Sequence, residues 1–224
     1  MKKMQFLTRS LILLFCVIFS IISVEAQGDT QEEPANLVLP RFEQAAVKLK
    51  NGKSYSAVMN YEKTEQQMII LRNDQYFLFK DQQAVDTILI GDRTFVPAEK
   101  GFLEVLVNAP VSLYFQHKAN LESEGSTVAY GSKTNTAGIT HITTIYGKEG
   151  AIVLKIPDNY KVVDESSMWI GRNGSMEKIL NKKQFLKLFN DRKDDLTRFM
   201  KENNTNFGDV DDMTRLVLYC NELY

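Results

Sequence analysis

The sequence predicts an α+β fold that is mainly β: an antiparallel sheet, either a sandwich or an open barrel of short hairpins, followed by two or three short C-terminal helices. Apolar residues alternate with polar ones from residue 42 to about residue 117, and turn residues recur about every 8–12 positions, as in antiparallel sheets. Beyond Gly174 the apolar spacing changes to i, i+3, i+4, which is typical of amphipathic helices. We expect a β domain over residues 41–174 and a helical appendage over residues 175–224.

The first residues have the three zones of a signal peptide. A positive stretch at residues 1–4 precedes an apolar run at residues 11–24, and the small residue Ala26 then occupies the cleavage position with Val24 two before it. This pattern predicts cleavage between Ala26 and Gln27. The run is shorter than the roughly 20 residues that a spanning helix needs, so a retained membrane anchor is the less favoured alternative.

A chain with this signal is expected to be exported, and to lie in the periplasm, at the outer membrane or outside the cell. Cys16 follows the bulky Phe15, which argues against a lipoprotein, because an acylated cysteine usually follows a small residue. After cleavage Cys220 is the one remaining cysteine, so no intrachain disulfide is expected. We predict that Cys220 is a small buried apolar residue of a helix.

The net charge of the chain is close to neutral. The whole chain has a formal net charge of −1, and the first 26 residues contain three basic residues and one acidic residue, so cleavage leaves −3. This balance gives no electrostatic case for binding nucleic acid or anionic lipid. No later segment is long and apolar enough to span a bilayer. Residues 27–40 are polar and are expected to form a flexible leader.

Turn residues divide the β region into short hairpins. Asn51-Gly52 predicts a type I′ turn, in which both central residues need a positive φ. Asn73-Asp74 and Gly91-Asp92 predict two further tight turns. Residues 119–138 are polar and predict a long surface loop. The predicted strands are 47–50, 55–61, 68–71, 76–79, 85–90, 94–96, 102–107, 111–115, 139–146, 151–156, 160–163 and 167–170.

The C-terminal segments have helical periodicity and suitable N-caps. Asn181, then Asn190 or Asp191, and finally Asp209 each precede an apolar periodic stretch. No amphipathic segment long enough to form a helix lies between the predicted strands, so a doubly wound α/β sheet is not expected.

The sequence contains no standard catalytic or cofactor motif, and no cofactor and no catalytic residue are predicted. The two histidines, His117 and His141, with Glu104 as a third ligand are the candidate metal site. A Ser-His-Asp arrangement stays open as an alternative, because such triads are set by geometry and not by sequence spacing. Glu104 and His117 have the parity of apolar residues on their strands, which would direct both inward. The alternative, positions at strand ends or on the solvent face, is favoured, because no pattern fixes the distances between the three residues.

Aromatic residues on the strands are the other candidates for binding. Most are expected in the core. Trp169 precedes a Gly-Arg-Asn-Gly turn and has the best claim to a surface role, since tryptophan is often only partly buried. The candidate binding residues are therefore Trp169, Tyr114, His117, Glu104 and His141.

Two stretches resemble a group of small exported proteins of unknown function from Gram-negative gut and environmental bacteria. The first runs from Asn60 to Pro97 and includes Val85-Asp86-Thr87-Ile88-Leu89-Ile90-Gly91-Asp92-Arg93. The second runs from Lys183 to Asn221 and includes Lys183-Gln184-Phe185-Leu186-Lys187-Leu188-Phe189, so the resemblance covers most of the mature chain. The resemblance implies export and no assigned activity. Within the first stretch, Asp86-Thr87-Ile88 also resembles an O-glycosylation acceptor of exported proteins in such bacteria.

These observations favour a non-enzymatic binding or envelope-associated protein. Its expected partner is an envelope protein, a glycan or a small apolar ligand, with no nucleic acid and no integral membrane span after cleavage. A hydrolase acting on an envelope or dietary polymer is the first alternative, and a structural subunit of a surface assembly is the second. The hydrolase requires His117, His141 or Glu104 to converge with another carboxylate in a cleft.

Overall fold

The computed structural model describes residues 35–123, 156 and 160–224, with short strand pieces at 126–127, 133–134, 145–146 and 152–153. The predicted signal peptide, its cleavage site at Ala26 and Gln27, and His141 lie outside the described residues. The fold is mainly antiparallel β with three C-terminal helices, which confirms the predicted fold class.

Twelve of the described strands form one antiparallel sheet, in the order β12-β13-β4-β3-β2-β1-β5-β6-β7-β8-β15-β16. The described part of this sheet is open, with β12 and β16 at its edges. β9 follows β8 along the chain and β14 precedes β15. These two strands, β9 and β14, pair with each other. The strands are β1 Glu43–Leu49, β2 Ser54–Glu62, β3 Gln67–Arg72, β4 Gln75–Leu78, β5 Val85–Ile90, β6 Arg93–Pro97, β7 Phe102–Val107, β8 Val111–Gln116, β9 Ala119–Ser123, β10 Ser126–Thr127, β11 Lys133–Thr134, β12 Ile145–Tyr146, β13 Ile152–Val153, β14 Tyr160–Asp164, β15 Ser167–Arg172 and β16 Ser175–Ile179.

The hairpin turns agree in part with the turn types that the sequence predicts. Asn73 and Asp74 have φ of 51° and 58°, the left-handed conformation of both central residues in a type I′ turn between β3 and β4. The Asn51-Gly52 prediction is wrong in type. Only Gly52 has a positive φ, of 83°, and the backbone bond from Leu49 to Lys53 closes a longer loop between β1 and β2. The predicted loop 119–138 also begins later, because Ala119–Ser123 is strand β9.

One face of the sheet is apolar and buried. A single register row crosses seven strands and contains Val47, Ile88, Phe95, Glu104, Phe115, Met168 and Ile179. We call the face of the sheet that carries this row the inner face. Every member is apolar except Glu104, so the alternation seen in the sequence has become one continuous hydrophobic layer.

The core has two clusters. The hairpin cluster lies among β1–β7 and contains Leu39, Ala45, Val47, Met59, Tyr61, Met68, Phe79, Val85, Ile88, Ile90, Phe95 and Phe102. The helix cluster joins the other end of the sheet to the helices and contains Val107, Val111, Leu113, Met168, Ile170, Ile179, Phe185, Phe189, Leu196, Met200, Met213, Leu216, Val217 and Cys220. Cys220 is buried as predicted, and burial raises the pKa of its thiol to about 12.

Three helices follow the sheet: α1 Lys182–Leu188, α2 Lys193–Glu202 and α3 Val210–Glu222. Asn181 and Asp209 cap α1 and α3 by accepting backbone hydrogen bonds, as predicted. The expected cap at Asn190 or Asp191 is wrong, because these residues form a 3-10 turn and Arg192 occupies the N-cap of α2 without a side-chain bond.

Two segments are more ordered than the sequence analysis expected. The sheet continues past Gly174 into β16, so helical structure begins at Lys182. At the other end, Leu37 and Leu39 of the predicted leader are buried, and the side-chain amide of Asn60 holds the Leu39 backbone at both its N–H and its carbonyl. These contacts fix the end of the leader against the sheet.

Candidate functional site

A buried charged cluster lies on the inner face where β6, β7 and the end of β8 meet. Arg93 donates to both carboxylate oxygens of Glu104, from Nε at 2.7 Å and from Nη2 at 2.8 Å. His117 Nε2 lies 2.6 Å from Glu104 Oε2. Glu104 and His117 are 6% and 8% exposed, so the cluster is nearly closed to solvent. We call these three residues the Arg–Glu–His cluster.

The charge of Glu104 is stabilised by its partners. Burial raises the pKa of Glu104, but the hydrogen bonds and positive charge of His117 and Arg93 outweigh burial, and the net pKa lies below the ordinary value. Because an ionised carboxylate only accepts hydrogen bonds, the Nε2 of His117 is the donor. The imidazole also contacts Phe115 edge-on, with centroids 4.7 Å apart, and lies near Phe95 and Tyr61.

Two of these three residues, Glu104 and His117, are candidates from the sequence. Their parity predicts that Glu104 and His117 point inward, and both side chains are buried. The favoured alternative of a solvent-facing position is wrong for both, although His117 does lie at a strand end, one residue beyond β8. Arg93 was missed, although it has the parity of the buried Phe95 two residues later. That parity places Arg93 on the apolar face of its strand, where a basic residue needs an acidic partner. The sequence therefore contained a signal for Arg93.

The Arg–Glu–His cluster is poorly suited to chemistry on a substrate. Both oxygens of Glu104 are already bound, and the carboxylate is shielded from solvent. Among the described residues no group of three His, Cys, Asp or Glu side chains is placed to hold a metal ion. The cluster therefore neutralises a buried charge and joins three strands.

The opposite, outer face carries the two aromatic candidates. Tyr114 on β8 and Trp169 on β15 are directly opposite each other in the register. The register row continues to Val105 and Thr94 on one side and to Lys178 on the other. Both aromatic residues are partly exposed.

Polar side chains fix the indole of Trp169. Its Nε1–H donates to Gln116 Oε1 at 3.2 Å and to Ser167 Oγ at 3.3 Å. The amide of Gln116 donates in turn to Gln66 at 2.8 Å. Beside this ring, a Cβ at Gly171 would stand 2.9 Å from Tyr114 Cε2, so the glycine leaves the tyrosine ring room to lie against the strand. The aromatic pair is thus held in place on an accessible face.

The sequence analysis identified Trp169 and Tyr114 but not the groups that hold them. Gln116, Ser167 and Gly171 carry no motif, and their role depends on the β8–β15 register. Of the five candidates, the structure brings together Glu104 with His117 and Tyr114 with Trp169, on opposite faces of the sheet. The remaining candidate, His141, is outside the described residues.

Comparison with protein families, with curated proteins and with solved structures finds no match to this chain. In the part of the chain that the structure describes, none of the helices has the length and apolar character required to cross a membrane.

Proposed function

We propose that this protein is exported and acts in the cell envelope as a non-enzymatic binding protein, with the outer face around Tyr114 and Trp169 as its binding surface. The observation that carries the proposal is the position of Trp169. The only tryptophan of the chain is partly exposed on the sheet, while Gln116 and Ser167 bond its ring nitrogen and Gln66 in turn holds Gln116.

A partly exposed aromatic ring whose orientation is fixed favours recognition for two reasons. Tryptophan and tyrosine supply large contact areas and are enriched where proteins bind partners. A ring whose orientation is already fixed loses little side-chain entropy on binding, which otherwise costs about 0.5–1.5 kcal/mol per side chain. The Trp169–Gln116–Gln66 arrangement supplies that fixation.

The hydrolase alternative receives less support. It needs a carboxylate or imidazole that faces a cleft, and the described Glu104 and His117 face the core and each other. A general acid or base must come within hydrogen-bond reach of its substrate. Binding by the outer face needs no rearrangement of the sheet.

The proposal is tested by pull-down from envelope extract with the tagged chain that begins at Gln27. We expect the wild type to retain an envelope component, identified by protein mass spectrometry and glycan analysis, and Trp169→Ala to lose it. Tyr55→Ala is the matched control, because Tyr55 is a solvent-exposed aromatic residue of β2, 42% accessible. Equal recovery by all three proteins, or Glu104-dependent cleavage of a polymer panel, would contradict the proposal.

A further inference from the structure

We infer that a basic and apolar patch at the β16 edge docks the protein on an anionic lipid surface. The patch comprises Met176, Lys178, Leu180, Lys182, Lys183 and Lys187, and we call it the 176–187 patch. The inference rests on the proposed location in the envelope and names a lipid partner for a surface beside the Trp169 face.

The first observation is an unusually exposed leucine. Leu180, which directly follows the edge strand β16, is 61% exposed, the largest value among the exposed large apolar side chains of the described residues. Met176 near the start of β16 is 43% exposed. Isolated exposed apolar residues are common on proteins. Here two of them lie four positions apart, one near the start of the edge strand and one just past its end, with several lysines nearby in the sequence.

The local geometry holds Leu180 outward. The Leu180 N–H donates to Gln184 Oε1 at 2.8 Å, and Gln184 N–H donates to the Asn181 cap at 3.1 Å, a reciprocal arrangement that fixes the start of α1. Leu180 and Phe185 occupy the two positions that usually pack together as a hydrophobic staple. Phe185 is fully buried while Leu180 is 61% exposed, so most of the Leu180 side chain remains in solvent.

The second observation is the charge around this leucine. Lys178, Lys182, Lys183 and Lys187 are all exposed, and residues 175–187 contain one acidic residue, Glu177. None of the four lysines is in an ion pair with a described residue. Lys183 and Lys187 project from the side of α1 opposite Phe185. The near-neutral net charge of the chain conceals this local excess.

Exposed apolar side chains within a cluster of unpaired lysines fit an anionic bilayer surface. The apolar groups enter the boundary between head groups and acyl chains, while lysines contact the lipid phosphates. Trp169 adds support for a lipid partner, because it is the cross-strand partner of Lys178 in the patch. Tryptophan favours the membrane interface.

The test is sedimentation of the chain from Gln27 onward with vesicles of phosphatidylglycerol and phosphatidylethanolamine, compared with vesicles of phosphatidylcholine alone. We expect binding to the anionic vesicles that added salt reduces. Lys182→Gln with Lys183→Gln should lower the partition coefficient roughly tenfold or more, and Leu180→Ser roughly tenfold. All these side chains are exposed, so the variants should keep the wild-type far-UV spectrum.

Matched controls come from other surfaces of the same chain. Lys50→Gln with Lys53→Gln removes two exposed lysines near the β1–β2 loop, and Leu218→Ser removes a side chain on α3 that is 49% exposed. Both controls should bind as the wild type does. Absence of vesicle binding, equal binding to phosphatidylcholine, or patch variants that bind like the controls would each overturn the inference.

The two proposals fail separately. If Trp169→Ala loses the envelope component while wild-type protein ignores vesicles, the binding function stands and lipid docking is wrong. If the 176–187 patch governs vesicle binding while Trp169→Ala recovers the same envelope component as the wild type, lipid docking stands and the proposed binding surface is wrong.

Discussion

Glu104 is the one charged residue in an otherwise apolar row of the inner face. Its carboxylate remains ionised because Arg93 and His117 supply three donors within 2.8 Å. Replacing a buried ion pair by apolar residues is often harmless, whereas removing one partner leaves an uncompensated charge. The contribution of Glu104 is therefore best measured through its own substitution.

Glu104→Gln should lower the free energy of unfolding by about 3–5 kcal/mol at neutral pH, because Arg93 keeps its charge without a counter-ion. The folded pKa of Glu104 lies below its ordinary value of 4.5. Its stabilisation is therefore present above that value and is lost as the pH falls through the lower folded pKa. Urea unfolding from neutral to acid pH should show a shallower acid loss in the variant than in the wild type.

Glu122→Gln provides the control for the charge change. Glu122 pairs with Lys161 on β9 and β14, and both side chains are at least half exposed. A surface pair of this kind contributes about 0–1 kcal/mol. An acid loss as steep in Glu104→Gln as in the wild type would show that Glu104 does not carry the pH dependence.

At the scale of elements, the side chain of Asn221 hydrogen-bonds helix α3 to strand β8. Asn221 Oδ1 accepts from the Val111 N–H at 2.9 Å, and Asn221 Nδ2 donates to the Val111 carbonyl at 2.8 Å. The two residues are 110 positions apart. The amide thus bonds both backbone groups of Val111 at the start of β8.

Asn221→Ala should lower the free energy of unfolding by about 1–3 kcal/mol, since the Val111 backbone groups lose their partner in a partly buried site. Denaturant unfolding measures the change. Asn203→Ala is the matched control, because Asn203 is exposed and its amide bonds only the Phe199 carbonyl within its own helix end. Equal effects of the two substitutions would contradict the anchoring role of Asn221.

The sequence predicts the elements better than it predicts their contacts. Alternation and helical spacing are local, so the strands, the α1 and α3 caps and the Asn73-Asp74 turn follow from neighbouring residues. The Asn221–Val111 bond and the Arg93–Glu104 pair depend on the register between elements, which no local pattern specifies. The same limit explains why Trp169 was a candidate on its own while Gln116 and Ser167 were not.

At the scale of the whole molecule, the Arg–Glu–His cluster links the two hydrophobic clusters. Phe115 packs on the helix cluster and also contacts the ring of His117. His117 lies 6.2–6.3 Å, between ring centroids, from Tyr61 and Phe95 of the hairpin cluster. The helices therefore complete the same core as the sheet, since the inner face of β8 and β15 would otherwise be exposed.

This continuity predicts a single cooperative unfolding transition for the chain from Gln27 onward. Trp169 is the only tryptophan, so its fluorescence reports on β15, while far-UV circular dichroism reports on sheet and helices together. If the clusters unfold as one unit, both signals should give the same urea midpoint and slope. His117→Ala removes the ring between the clusters and leaves Glu104 with one partner, so it should lower both midpoints together. Separate transitions in the wild type would show that the helical layer is an independent unit that rests on the sheet without stabilising it.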